Sequence, residues 1–171
     1  LPITRARYAW AKLAGFCAVA CGAALLCGLA ALPFAAPAQV AVWTLSLACE
    51  LSIVAAFALF AGTGLRGVVA ALGATFGFYL LARMVAGLQA LGHEHADSGV
   101  ASTAVDALAA LLPHLDAFAR TEWLVYGTGT AAAAGYAVVQ AGIYVVLLAA
   151  ACALDLRRKE IAWAPVAGRR S

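Results

Sequence analysis

The sequence predicts an all-α polytopic membrane protein, with about four transmembrane helices and an amphipathic extracytoplasmic segment before the last one. Three observations carry this. Of 171 residues, 65% are hydrophobic and 11% are charged, against roughly 25% charged in soluble domains. So apolar a chain has little polar surface to show water; lipid suits it as solvent, where the backbone must be satisfied inside helices. The apolar residues fall into four runs, at about 13–32, 40–60, 68–91 and 134–154, each near the ~20 residues that cross a hydrocarbon core. Lysines and arginines gather at the ends of these runs, as membrane topology requires, and make no nucleic-acid patch. The chain, 1–171, reads as one transmembrane domain with an outer segment at 93–126 and a cytoplasmic tail at 155–171.

The first twelve residues contain Thr4, a helix-capping type, and Arg5, Arg7 and Lys12, which mark a cytoplasmic border. Tyr8 and Trp10 suit the headgroup zone. The absence of a Met at the start suggests that sequence precedes Leu1. The first span carries Gly15, Gly22 and Gly28 among many alanines, a smooth surface for close helix packing. Pro33 and Pro37 bracket a short turn that makes the second span its antiparallel neighbour.

The second span has Glu50 near its middle, and 61–67 reads as a flexible turn with one basic residue, Arg66. The third span holds a Gly73/Gly77 GxxxG pair and, in its later half, Arg83. Glu50 and Arg83 are the clear charges at membrane depth. A central charge costs about 2.5–3.5 kcal/mol on insertion scales, so each should face protein or water. At 1.5 Å per residue they lie roughly 15 Å and 12 Å from the outer border, depths that permit a pair. Such a pair lines a transport pathway or serves as a structural ion pair.

The polar segment opens with His93-Glu94-His95-Ala96-Asp97. His93, His95 and Asp97, with His114 and Asp116 further on, are weak candidate metal ligands, since no spacing matches a zinc signature. Asp97 and Ser98 can cap a helix over Val100 to Leu112, which Pro113 ends. A second amphipathic piece runs from Leu115 to Tyr126, its aromatics suiting an interfacial or re-entrant position. Gly127 to Thr130 reads as a hinge. The last span is stopped by Asp155 and the run Arg157-Arg158-Lys159. The five cysteines all fall in apolar runs and read as small buried residues.

Nine of the eleven basic residues lie at the N-terminal border, the Arg66 turn and the C-terminal tail. By the positive-inside rule these are cytoplasmic, and both the Pro33–Pro37 turn and the 93–126 segment face outside. No nucleophile elbow and no phosphate-binding loop occur, so any ATP-driven work belongs to another chain.

Three stretches, in order, resemble type-2 ATP-binding-cassette (ABC) exporter permeases. The opening Leu1-Pro2-Ile3-Thr4-Arg5-Ala6-Arg7-Tyr8 through Lys12 is similar to the cytoplasmic lead into that family's third span, with Ala11 where the family has Gly. Leu112-Pro113-His114-Leu115-Asp116-Ala117-Phe118 resembles its outer segment before the last span. Ile143-Tyr144 through Leu154-Asp155-Leu156-Arg157-Arg158-Lys159-Glu160-Ile161 is similar to its final span and basic stop. The family has six spans per permease half, so the resemblance implies that the first two precede Leu1.

It further implies a non-enzymatic transport subunit in the bacterial inner membrane, exporting by alternating access. Its partners would be a cytoplasmic ATPase, which holds the ATP and Mg, a second permease half, and membrane lipid. Pro113, Leu115, Phe118 and Trp123 would belong to an extracytoplasmic gate, and Arg5, Arg7 and Lys12 would border the ATPase. The alternatives are a structural membrane subunit of another complex and a metal-dependent membrane enzyme.

Overall fold

The computed structural model describes residues 5–65, 67–94 and 112–163, all of whose regular elements are helical. Helix α1 spans Arg5–Ala31, α2 Pro37–Gly64 and α3 Val68–Glu94. A single 3₁₀ turn, Leu115–Ala117, and a five-residue helix α4, Glu122–Tyr126, follow. Helix α5 spans Ala131–Trp163. Four of these helices are long and apolar enough to cross a membrane, over Trp10–Ala31, Pro37–Gly64, Val68–Val85 and Ala131–Asp155. The molecule is an all-α polytopic membrane protein.

The helices overrun the apolar runs at several ends, for local reasons. Pro37 sits in the first turn of α2, where its missing N–H costs nothing and its fixed φ suits a helix. Thr130 starts α5 three residues before the expected span: its Oγ1 accepts from the Ala133 N–H at 3.2 Å. The charged run after Asp155 ends the apolar window but not the helix, which continues to Trp163. Arg, Lys and Glu are good helix formers, so charge stops insertion without stopping the hydrogen-bond ladder.

Two readings of local structure are corrected. The flexible 61–67 turn is helical as far as Gly64, with Thr63 Oγ1 donating back to the Phe60 carbonyl at 2.9 Å. The reversal is confined to a few residues around Gly67, whose φ of +117° only glycine takes freely. The amphipathic piece from Leu115 to Tyr126 is not one helix. It breaks after the 3₁₀ turn at Ala119, whose φ is +40°, and resumes as α4.

Helix α2 is the centre of the bundle: α1 and α5 pack along it broadly, α3 over a smaller area, and α4 touches it near its start. One core cluster joins Ile53 of α2, Ala82 of α3, Ala137 and Ala141 of α5, and Leu112, Leu115 and Phe118 of the connecting segment. A second holds Leu13 of α1, Ala56 of α2 and Ala149 of α5. Every buried member that α3 and α5 give to these clusters is an alanine, which lets the helices pack closely where lipid leaves little hydrophobic drive between them.

Helix α1 comes close to α2 at Gly28, where a Cβ would overlap the Thr44 side chain. Gly73 and Gly77, by contrast, face nothing within 4 Å among the described residues, so the GxxxG pair serves no contact among them. Phe57 and Phe78 stack face to face between α2 and α3, centroids 4.0 Å apart.

The cysteines are also redistributed. Cys152 is buried against the α2 side, its Sγ 3.5 Å from Thr63 Oγ1. Cys17 and Cys49 are half-buried, and Cys21 and Cys27 are exposed. The bundle is thin, with 11–28% of each apolar window buried. An apolar position therefore faces lipid more often than protein.

Candidate functional site

The site is built from one stripe of α2. Gln39, Trp43, Ser46 and Glu50 follow each other at helical spacings of four, three and four, so they share a face. That face receives the connecting segment from Pro113 to Gly129: Gln39, Trp43 and Ser46 each bond to it directly, and Glu50 reaches it through Arg83.

Glu50 is the deepest. Its side chain is 5% exposed, and its Oε1 lies 3.0 Å from Arg83 Nη1. The two charges proposed from sequence are thus an ion pair between α2 and α3. Tyr79, one turn before Arg83, brings its hydroxyl to the same carboxylate. Arg83 Nη1 also lies 2.9 Å from the Leu115 carbonyl and 3.5 Å from that of Phe118. The Leu115 carbonyl opens the 3₁₀ turn and already accepts from the Phe118 N–H at 3.1 Å, so Arg83 takes its second lone pair, and the Phe118 carbonyl lies just past the turn's end. The guanidinium therefore ties three pieces of chain at one point, and the Glu50 charge compensates it.

Above this pair the stripe holds the backbone of Ala119 from both sides. The Ala119 N–H donates to Ser46 Oγ at 3.1 Å, and the Trp43 indole N–H donates to the Ala119 carbonyl at 3.1 Å. Both backbone groups of a residue in an unfavourable left-handed conformation are satisfied by side chains of one helix. Further up, Gln39 grips Gly129: its Nε2 donates to the Gly129 carbonyl at 3.3 Å, and the Gly129 N–H donates to its Oε1 at 3.0 Å. A Cβ on Gly129 would press into Gln39 and Trp123. Gly127, at φ +66°, ends α4 and turns the chain towards this clamp.

The four segment residues expected from sequence are all interior. Leu115 and Phe118 are fully buried, Pro113 almost so, and Trp123 is 7% exposed. Asp116 pairs with Arg120, four residues on, at 3.8 Å. At the other end of the bundle, Arg7 and Lys12 are exposed on α1, and the Arg5 side chain lies outside the described residues. So do the side chains of His93 and Glu94, and the whole of His95 and Asp97. Among the described residues no three His, Cys, Asp or Glu side chains come together as metal ligands.

Gln39, Trp43, Ser46 and Ala119 are site residues that the sequence reading does not single out. A signal for the side chains existed: polar atoms recur at 39, 43, 46 and 50 on one face of a span that is otherwise apolar. Ala119 carried none, since its role lies in its backbone.

Fold and site together define a membrane-spanning helical bundle in which a non-spanning segment is folded back and pinned to the central helix. No family model, no curated protein and no solved structure matches the chain.

Proposed function

We propose that this chain is the C-terminal part of a type-2 ABC exporter permease half in a bacterial inner membrane. The observation that carries the reading is the buried Pro113–Phe118 stretch, seated on α2 and tied to the Glu50–Arg83 pair. A segment between two spans that returns into the bundle suits a gate over a pathway. The ordered resemblance of the opening, the segment and the basic stop supports the same reading.

In this reading the basic ends of the bundle are cytoplasmic by the positive-inside rule, and the pinned segment closes the extracytoplasmic end. The protein works by two packings of its helices. ATP binding and hydrolysis on a partner bias one over the other, and this chain makes and breaks no covalent bond. Opening separates the segment from α2, exchanging the contacts of Ser46, Trp43 and Arg83 for others. A ligand or nucleotide can shift such an equilibrium only by its differential affinity for the two packings.

The test is purification from native membranes in mild detergent, with mass spectrometry of the co-purifying chains. A stoichiometric ATPase subunit with a phosphate-binding loop supports the permease. A stable set of other membrane subunits without an ATPase sinks it. It would instead favour a structural subunit, for which the Glu50–Arg83 pair is an assembly bond.

A further inference from the structure

The Glu50–Arg83 pair is lopsided. The carboxylate side chain is 5% exposed and the guanidinium side chain 38%. All the bonds that Arg83 makes among the described residues leave from one nitrogen, Nη1, to Glu50 Oε1 and to the carbonyls of Leu115 and Phe118. Nε and Nη2 take no partner among the described residues. These two nitrogens present parallel N–H groups, the fork that matches two oxygens of a phosphate or carboxylate.

The position of this open edge decides what reaches it. Arg83 lies within the apolar window Val68–Val85 and is flanked by exposed Leu80, Leu81 and Met84. It stands fifteen residues beyond Val68, about 22 Å along the helix. That is roughly 8 Å short of the far border of a ~30 Å hydrocarbon core. The guanidinium, held inward by Glu50, covers only part of that distance, and a headgroup phosphate drawn inward by local thinning of the bilayer meets it there. Left without a partner at this depth, two ionic N–H donors would be costly.

We propose that the Nε/Nη2 edge of Arg83 is an anion site that takes one phosphate-type oxyanion at the boundary of the hydrocarbon and headgroup layers. Glu50 and the two carbonyls hold the guanidinium by its other edge, so the fork is oriented before the anion arrives. Because Glu50 already balances the charge, discrimination comes from the paired donors more than from net charge. The oxyanion belongs either to a lipid headgroup or to a water-soluble phosphate. The inference rests on the geometry of the pair and not on the permease reading, and its test reads binding alone.

The experiment is native mass spectrometry of the full chain in detergent, titrated with phosphatidic acid. Diacylglycerol with the same acyl chains serves as the phosphate-free control. The wild type is expected to hold one phosphatidic acid about tenfold more tightly than Arg83→Lys, which keeps the charge but loses the fork. Glu50→Gln removes the competing carboxylate and is expected to hold it severalfold more tightly than the wild type. Equal retention by wild type and Arg83→Lys, or equal retention of diacylglycerol, overturns the site. If Arg83→Lys does not purify as a helical protein, Glu50→Gln decides: weaker retention than the wild type overturns it. Glycerol phosphate added to the wild-type complex identifies the source. Displacement of the bound lipid assigns a site open to soluble phosphates, and its absence assigns a lipid headgroup site.

Discussion

Ala119 stands at φ +40° with its N–H on Ser46 and its carbonyl on Trp43. An L-residue pays roughly 1–2 kcal/mol for the left-handed region, and glycine pays little. Ala119→Gly is therefore expected to raise the thermal midpoint of the detergent-solubilised protein or leave it unchanged, while Ala119→Val lowers it. A fall on Ala119→Gly would show that the methyl group matters more than the backbone. Ser46→Ala removes one hydrogen bond between α2 and the connecting segment; the loss expected is that of an interhelical bond in membrane bundles, about 0.6 and at most about 1.7 kcal/mol. The Glu50–Arg83 pair calls for a double-mutant cycle. The double variant Glu50→Gln/Arg83→Gln should cost less stability than the sum of the two single variants, because each single change strands the other's charge or donors. Strict additivity in denaturation would mean that the 3.0 Å contact contributes no coupling.

Among the elements, the α1–α2 contact depends on the missing side chain of Gly28 beside Thr44. Gly28→Val should separate these helices and lower the yield of folded protein. The same change at Gly73 or Gly77 should leave the isolated chain's stability within about 0.5 kcal/mol, as for a surface site. If Gly73→Val is as damaging as Gly28→Val, α3 has a neighbour that this packing lacks. The contrast also shows what the sequence could carry. The four spans were legible because lipid demands long apolar helices, and Glu50 and Arg83 were legible because charge at depth needs a partner. Which glycine is a contact was not legible, since Gly28, Gly73 and Gly77 all lie inside apolar spans and nothing in the sequence says which of them faces another helix. The break at Ala119 was hidden for a related reason: alanine favours helix, and tertiary hydrogen bonds from α2 overrode it. The Leu115–Tyr126 stretch has an amphipathic pattern that a helix and a folded-back turn share.

At the scale of the molecule, four crossings bring both ends of the chain to one side of the membrane. With the Arg66 turn they carry most of the basic residues, and the orientation proposed from the positive-inside rule puts that side in the cytoplasm. Reporter fusions after Ser171 and within 65–67 should be active on the cytoplasmic face, and a tag at Asp97 should be accessible from outside. Labelling of the Asp97 tag only after the membrane is permeabilised would invert the arrangement.

The clamp of Gln39 on Gly129 has a mechanical consequence for α5. It fixes the chain two residues before that helix begins, and the helix then runs unbroken for 33 residues, a rod of about 50 Å. Its last stretch, from Asp155 to Trp163, extends about 12 Å past the apolar window. A pivot at the clamped end turns a 5° tilt into a sideways travel of about 4 Å at the far tip. The gripped glycine is a fulcrum, and the basic end of α5 is where a small rearrangement of the connecting segment becomes a displacement large enough for a neighbouring protein to feel.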